Sequence, residues 1–536
     1  MSANTGVPSA GTDVESATAD RDHDTELSGQ KLSPSEEKFE RLRQTHGLWL
    51  APLIALSFGL LPLDLPGHQQ VLGAVLLGVI TLWITEPLPV PISGLVGVAA
   101  IVLLGVAPVD DVLEPFGSST IFTFIGAFIL AKAMLKHGLT RRFAFAVLSL
   151  PGVARSTPRI IVAFGVITCV LSAFVSNTAS VAMLLPTAMG ILGVLAQLLR
   201  KNSTSSGAAD PLRLRLGSAL MLMLAYGASV GGLLTPVGAP PNLIGRGLIE
   251  QTTGQKVSFG QWSTIALPVC VVMFAVLAVV VLLLNKPEVR RIEGMREFIS
   301  AERAAMGRMS RAEINTLIAF TVTVLLWIAP AIVALTAGTD SAFYELVDDR
   351  LDEGIVAVVG AALLFVLPTN WHQRETTLTW KDAATIDWGT ILLFGTGMIF
   401  GSLLEDSGLA RTIGSSASEA FGVTTPFALT ALAVVLAILI SETTSNTASA
   451  AVVVPIIIPL AVAAGVSPIV PALAGVFAAS FGFMLPVSTP QNAIVYGSGA
   501  VRITQMIRCG IVFDVLGGLA IVLIVPAMAG LIGLAP

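Results

Sequence analysis

The chain has 536 residues, 54% of them hydrophobic and only 12% charged, with a mean hydropathy of +0.83 and a formal net charge of −5. A soluble domain carries about 25% charged residues, so a soluble globular fold is excluded, and no nucleic-acid partner is expected. From Leu48 onward, apolar runs recur at the roughly 20-residue length that spans a bilayer. Runs such as Val271–Leu284 lack the polar alternation of barrel strands, so the fold class is an all-α polytopic membrane protein.

In chain order, residues 1–32 are polar, rich in Ser, Thr, Asp and Glu, and read as a disordered cytoplasmic tail with no signal peptide. Ser33-Pro34-Ser35-Glu36 resembles a capping box, and 33–47 is predicted as an interfacial helix carrying Phe39 and Leu42. Eleven spans follow, with two re-entrant helical hairpins between them. Spans 1 to 4 are 48–63, 70–86, 91–107 and 118–136, the last continuing as helix to 150. A first hairpin covers 157–199. Span 5, 216–249, is interrupted, and span 6 is 263–285. Spans 7 to 9 are 314–336, 354–368 and 386–404. A second hairpin covers 425–465. Span 10, 468–500, is also interrupted, and span 11 is 508–534.

Lysine and arginine placement sets the orientation. Lys38, Arg41 and Arg43 precede span 1, and seven basic residues from Lys286 to Arg311 crowd the link between spans 6 and 7. The opposite loops carry Asp110, Asp111 and Glu114, then Asp340, Glu345, Asp348 and Asp349. The N-terminus is expected inside, the C-terminus outside, and the hairpins should enter from opposite faces. The expected location is a plasma membrane, a bacterial inner membrane in particular, with the lipid bilayer as a partner.

One word occurs twice, half the chain apart: Ser176-Asn177-Thr178-Ala179-Ser180 and Ser445-Asn446-Thr447-Ala448-Ser449. Around it a longer repeat emerges. Gly138-Leu139-Thr140-Arg141 matches Gly408-Leu409-Ala410-Arg411, and Pro186 matches Pro455. Gly232 to Asn242 and Gly482 to Asn492 share the frame G-x3-P-V-x-x-P-x-N. The units begin on opposite sides of the membrane, which makes them inverted repeats.

Polar groups in hydrocarbon are costly unless partnered, so both words read as functional. At a hairpin tip, Ser, Asn and Thr cap the returning helix and aim its positive end at an anion. Their oxygens also suit a small hard cation such as Na+. Pro236, Pro240 and Pro241 in one half, and Pro486 and Pro490 in the other, interrupt the helices of spans 5 and 10 and free carbonyls. Asn242 and Asn492 close each break.

No buried carboxylate pair, His-Asp pair or Ser-His arrangement is expected beside these motifs, which argues against an enzyme and against a proton relay. Lys132 reads as a snorkelling or packing residue, and Glu86 and Asp514 as residues near span ends. Glu442 is expected to orient the second tip without serving as a ligand. Cys169, Cys270 and Cys509 read as packing residues, and the scattered histidines form no metal cluster.

The two Ser-Asn-Thr words, Thr85-Glu86-Pro87-Leu88-Pro89, Asp387-Trp388 leading into Leu393-Phe394-Gly395-Thr396-Gly397, and Pro486 to Val495 together resemble the divalent anion/sodium symporter family, also called solute carrier 13 or INDY-type transporters. The resemblance covers 48–536. It implies a homodimeric, elevator-type secondary transporter that couples Na+ to a small dicarboxylate anion (succinate, malate or fumarate). Scaffold parts would be 48–150 and 314–410, and transport parts 151–286 and 411–536, with 287–313 as a cytoplasmic linker. Substrate contacts would come from Ser176, Asn177, Thr178, Ser445, Asn446, Thr447, Gly238, Pro486, Ser488 and Thr489. One Na+ site would use Ser172, Ser176, Asn177, Gly232, Thr235 and Pro236. The other would use Ser441, Ser445, Asn446, Met484 and Pro486. The family often shows Gly-Thr-Pro-Pro-Asn in both breaks. Here Gly238-Ala239-Pro240-Pro241-Asn242 lacks the hydroxyl, and the second break reads Ser488-Thr489-Pro490-Gln491-Asn492. The rival readings are a Na+-independent dicarboxylate exchanger, a carrier of citrate or of an oxyanion such as sulfate, and a channel.

Overall fold

The apolar runs are helices in the structure, a computed structural model that describes residues 34–202, 214–291, 294–338, 340–410, 412–413 and 425–534. The predicted tail 1–32, Ser33 and Arg411 lie outside the described residues. In the first half α1 is Pro34–Leu60, α2 Gly67–Thr85, α3 Val90–Leu103, α4 Val109–Leu113, α5 Ser119–Lys136 and α6 Leu139–Leu148. Then come α7 Thr157–Ser172, α8 Asn177–Asn202, α9 Arg215–Gly232, α10 Pro240–Thr253, α11 Phe259–Leu284 and α12 Met295–Ala305. The second half holds α13 Arg311–Ala337, α14 Ala342–Arg350, α15 Glu353–Val366, α16 Trp380–Ala383, α17 Trp388–Asp406, α18 Pro426–Thr443, α19 Asn446–Ala463, α20 Ile469–Ala479, α21 Pro490–Gly497 and α22 Ile503–Leu531. Among the described residues, eight helices are long and apolar enough to cross a membrane, and α3, α7, α15, most of α17 and α20 are shorter apolar helices.

Three local departures from the sequence reading have physical causes. Residues 34–47 do not form a separate helix, because α1 runs without a break from Pro34 to Leu60. Gly47 is a packing position in it: a Cβ there would collide with the Thr85 side chain. The continuation of α5 is a separate helix, because Gly138 turns the chain at φ 69°, as Gly408 does at φ 74°. A two-stranded antiparallel hairpin, β1 Pro368–Asn370 and β2 Glu375–Thr376, joins α15 to α16.

Packing places the two broken spans at the centre. Every residue of α9 from Leu216 to Gly232 is buried, and so is all of α20. By contrast α13 leaves Leu317, Ile318, Leu325, Ile332 and Leu335 exposed, the pattern of a lipid-facing helix. In each half the hairpin's entering helix packs on the first arm of the broken span: α7 on α9, and α18 on α20. The second arms cross over, α10 onto α19 of the opposite hairpin and α21 onto α8. Small residues permit the close crossings. A Cβ on Gly231 would run into the Cys169 carbonyl of α7, and one on Gly227 would lie 3.1 Å from the Gly165 oxygen.

Ion pairs join the outer helices. Lys136 meets Asp382 at 2.6 Å, and Arg142 meets Glu313 at 2.7 Å. Partial burial acts to raise the Asp382 pKa, but hydrogen bonds from Lys136 and Thr379 outweigh it and hold the carboxyl at about 2.

Candidate functional site

The first hairpin turns over Ala173–Ser176. Ser176 Oγ accepts the Ala179 N–H at 3.3 Å, so it caps α8. Asn177, the first residue of α8, is buried, and Ser172 Oγ hydrogen-bonds its Oδ1. The amide lies directly against the end of α9, where a Cβ on Gly232 would overlap Asn177 Oδ1. There the chain leaves helix, forms a 3-10 turn at Pro236–Gly238 and restarts as α10.

The carbonyls freed by this break find named donors. Asn242 Nδ2 donates to Gly232 O at 2.6 Å and to Thr235 O at 2.9 Å. Trp262 Nε1 donates to Leu233 O at 2.9 Å, and Thr235 Oγ1 donates to Ala173 O at the tip. The structure therefore brings Ser172, Asn177, Gly232 and Thr235 into one oxygen-rich cluster, with Ser176, Pro236 and Gly238 alongside. The side chains of Ser176 and Thr178 are more open than Asn177. Pro240 and Pro241 begin α10, where a missing N–H costs nothing.

The second half repeats this scheme atom for atom in several places. Ser445 Oγ accepts the Ala448 N–H at 3.2 Å. Ser441 Oγ lies 2.7 Å from Asn446 Oδ1 and 2.7 Å from Ala479 O, and Asn446 Nδ2 reaches Ser480 O at 3.4 Å. Asn492 Nδ2 donates to Gly482 O at 2.7 Å and to Leu485 O at 3.1 Å, matching Asn242. Ser445, Asn446 and Thr447 are half-buried, while Pro486, Ser488 and Thr489 are buried. Pro490 begins α21, and Thr489 caps it by accepting the Asn492 N–H at 3.2 Å.

One residue of this site was missed by the sequence reading. Gly482, not Met484, takes the place of Gly232, since a Cβ there would lie 3.1 Å from Asn446 Oδ1. Its place in the shared frame was the available signal. Met484 instead offers its backbone N–H to Glu442. Glu442 corresponds to Ala173, and its Oε1 accepts the N–H groups of Phe483 at 2.6 Å and Met484 at 2.8 Å. Ser488 Oγ lies 3.0 Å from both Glu442 Oε2 and Glu442 O. Glu442, expected to orient the tip, thus holds the second break.

The expectation that no buried carboxylate pair accompanies the motifs is corrected. Asp514 is not near a span end but inside α22 and 4% exposed, Glu442 is 3% exposed, and Gly510, one turn before Asp514, lies against the Phe483–Met484 backbone that Glu442 holds. Helix periodicity alone could not show which face of α22 is turned inward. Elsewhere, among the described residues, no cluster of three or more His, Cys, Asp or Glu could hold a metal, and the three cysteines are free.

A helical membrane protein with two capped hairpin tips, each laid against a proline-broken helix, is built as a transporter rather than an enzyme. Residues 44–532 match the model of the sodium:sulfate symporter transmembrane region. The chain is 31% identical over 495 residues to the sodium-dependent dicarboxylate transporter SdcS of Staphylococcus saprophyticus, covering 91% of this chain and 92% of that one. It is 30% identical over 486 residues to SdcS of Staphylococcus aureus, covering 90% of each. The chain belongs to the sodium:sulfate symporter family, the divalent anion/sodium symporters that its motifs resemble. Among solved structures, the fold is similar to the YdaH transporter of Alcanivorax borkumensis, with a TM-score of 0.53 at 14% identity over 79% of this chain and 89% of that one. It is also similar to MtrF of Neisseria gonorrhoeae, with a TM-score of 0.52 at 13% identity over 79% and 84%.

Proposed function

We propose that this protein is a secondary active transporter that couples Na+ to the uptake of C4-dicarboxylates. The observation that carries the reading is the pairing of two matched tips. Each has a Ser-capped helix N-terminus and an asparagine amide seated on an unwound break. The names of the SdcS relatives support both Na+ and a dicarboxylate.

The mechanism follows from the donor chemistry. Na+ at the first tip takes oxygens from Ser172, Asn177, Gly232 and Thr235, with Ser176 and Pro236 adjoining. Na+ at the second takes oxygens from Ser441, Asn446 and the Gly482 break, near Ser445, Met484 and Pro486. Filling these sites fixes Asn177 and Asn446 against the breaks. The substrate carboxylates then meet Ser176-Asn177-Thr178 and Ser445-Asn446-Thr447 at the positive ends of α8 and α19, with Gly238, Pro486, Ser488 and Thr489 lining the breaks. Because the ions order the anion site, substrate and Na+ each strengthen the binding of the other.

In this reading the hairpins, α9–α11 and α20–α22 form a transport unit. It moves as an elevator against a scaffold of α1–α6 and α13–α17, in a homodimer with the N-terminus inside and the C-terminus outside.

Radiolabelled succinate uptake into proteoliposomes, with an inward Na+ gradient or choline in its place, tests the reading. Uptake only with Na+ is expected. Na+-independent uptake driven by internal succinate or malate would make the protein an exchanger. Transport of sulfate or citrate alone would replace the substrate. Asn177→Ala and Asn446→Ala should each abolish uptake while leaving the purified protein monodisperse.

A further inference from the structure

The start of α9, the end of α11 and the first turns of α22 enclose a cavity of about 290 Å3, lined by Arg215, Leu284, Asn285, Gln505, Arg508 and Cys509. In the orientation proposed above, it lies at the cytoplasmic end of these helices. No ion pair among the described residues involves Arg215 or Arg508, and no carboxylate lines the cavity. Glu288, which touches Arg215, uses both oxygens on backbone groups: Oε1 accepts the Arg215 N–H at 2.5 Å and Oε2 the Leu216 N–H at 3.2 Å, capping α9. The polar wall is held in place. Asn285, 2% exposed, donates from Nδ2 to Cys509 Sγ at 3.3 Å and so ties α11 to α22. Ser218 Oγ lies 3.0 Å from Gln505 Oε1, and the Arg502 N–H donates to the same oxygen at 3.0 Å, which leaves Gln505 Nε2 with no acceptor among the described residues.

The cavity is therefore rich in donors and carries two positive charges without a counter-charge on its walls. An anion between the guanidiniums relieves their repulsion, and the planar arginine fork matches a phosphate with paired hydrogen bonds. The surroundings say which phosphate. Both α11 and α22 are long and apolar enough to cross a membrane, and they pack on each other. Immediately beside the lining residues they expose apolar side chains: Leu283, 74% exposed, precedes Leu284, and Ile511, 47% exposed, lies two residues beyond Cys509. One turn deeper, Val515 is 65% exposed. A charged cavity at the helix ends thus adjoins apolar surface on the same two helices, which suits a headgroup with its acyl chains. Basic pockets between transmembrane helices on the cytoplasmic side are places where anionic headgroups bind.

We propose that this cavity binds the phosphate headgroup of one anionic phospholipid from the cytoplasmic leaflet, with Arg215 and Arg508 on the phosphate and Gln505 Nε2 as a further donor. The acyl chains run along the apolar faces of α11 and α22. Of the transport reading the proposal uses only the orientation. Since α9, α11 and α22 all belong to the transport unit of that reading, the lipid sits on that unit.

Native mass spectrometry of the delipidated full-length protein in detergent, titrated with phosphatidylglycerol or phosphatidylcholine, tests this. The wild type should bind one phosphatidylglycerol per protomer in preference to phosphatidylcholine. The Arg215→Gln/Arg508→Gln double variant should bind it about thirtyfold more weakly, the loss of two arginine contacts to an anionic lipid. Arg296→Gln/Arg303→Gln, which removes two charges from α12 at the same end of the molecule, should bind as the wild type does. An equal loss in that control would show diffuse attraction and overturn the site, as would undiminished binding by the first variant. Should the first variant fail to fold, a wild type without preference between the two lipids overturns the site by itself. Excess inorganic phosphate separates the sources: phosphatidylglycerol should stay bound, and its displacement would mark a site for soluble phosphate and overturn the lipid assignment. Binding is read without Na+ or dicarboxylate, so its failure leaves the transport reading standing, and failure of succinate uptake leaves the lipid site standing.

Discussion

Around Gly232–Gly238 the chain holds its break open with neutral groups, whereas around Gly482–Ser488 it uses a carboxylate. In the first half the tip residue Ala173 contributes only a backbone carbonyl, which accepts from Thr235. In the second half the corresponding Glu442 accepts from Phe483, Met484 and Ser488. Yet Asn242 and Asn492 bridge equivalent pairs of carbonyls in both. The geometry of the break therefore does not depend on the charge. The asparagine and the prolines suffice to form it, and the carboxylate is an addition specific to one half.

The largest effect is expected from Glu442→Ala. It strands the Phe483 and Met484 N–H groups, each costing ~1–3 kcal/mol when left without a partner, while the Ser488 hydroxyl keeps the Glu442 carbonyl. The detergent-purified variant should melt well below wild type and show no uptake. Glu442→Gln, which keeps acceptor capacity, should restore most of the melting temperature. If Glu442→Ala melts with wild type, the second break holds itself as the first does, and the contrast disappears.

Next come Asn242→Ala and Asn492→Ala. Each amide donates to two carbonyls from a fully buried position, so each loss should cost about 2 kcal/mol. The prediction is equality: thermal melts of the two variants should fall by similar amounts. A much larger loss in one half would show that the shared frame conceals different roles.

Much of this arrangement is legible in the sequence, because its signals are local. Proline and glycine mark the breaks wherever they fall, and Ser-Asn-Thr marks helix starts through its own capping chemistry. The hairpins, both interrupted spans and the repeat could therefore be read directly. What stayed hidden depends on which faces meet. Asp514 looks like any acid in an apolar run until α22 is packed on the second break. Gly482 shares its frame position with Gly232, but its closeness to Asn446 is seen only once the hairpin is packed on the break. The β1–β2 hairpin escaped for another reason: strands of three and two residues are too short to carry a pattern.

A smaller pair of substitutions isolates the charge itself. Thr235→Val removes one neutral hydrogen bond, worth about 1 kcal/mol, while Ser488→Ala removes a hydroxyl shared between the Glu442 carboxylate and its backbone carbonyl, worth ~1.5 kcal/mol. Ser488→Ala should therefore lower the melting temperature more than Thr235→Val. The reverse order would mean that the Glu442 charge is satisfied chiefly by the backbone N–H groups and gains little from the hydroxyl.

The smallest expected effect is a gain. Ala239 and Thr489 precede α10 and α21 with the same backbone, φ −147° and ψ near 145° in both. Thr489 caps its helix through the Asn492 N–H, and Ala239 has no side chain that can do so. Since the backbone is already in capping geometry, Ala239→Ser offers the Asn242 N–H, which donates to Ala239 O at 3.1 Å, a second acceptor without rearrangement. Serine is preferred to threonine because Ala239 is 3% exposed, and an extra methyl would have to be packed. A new N-cap is worth ~0.5–2 kcal/mol, and burial of the hydroxyl offsets part of it, so a rise in melting temperature at the low end of that range is expected. Succinate uptake should be retained, because the substitution makes the first half resemble the second at a position where the second already carries a hydroxyl. A fall in stability would mean that the first break has closed around alanine, and that the two halves match in backbone without matching in the space behind it.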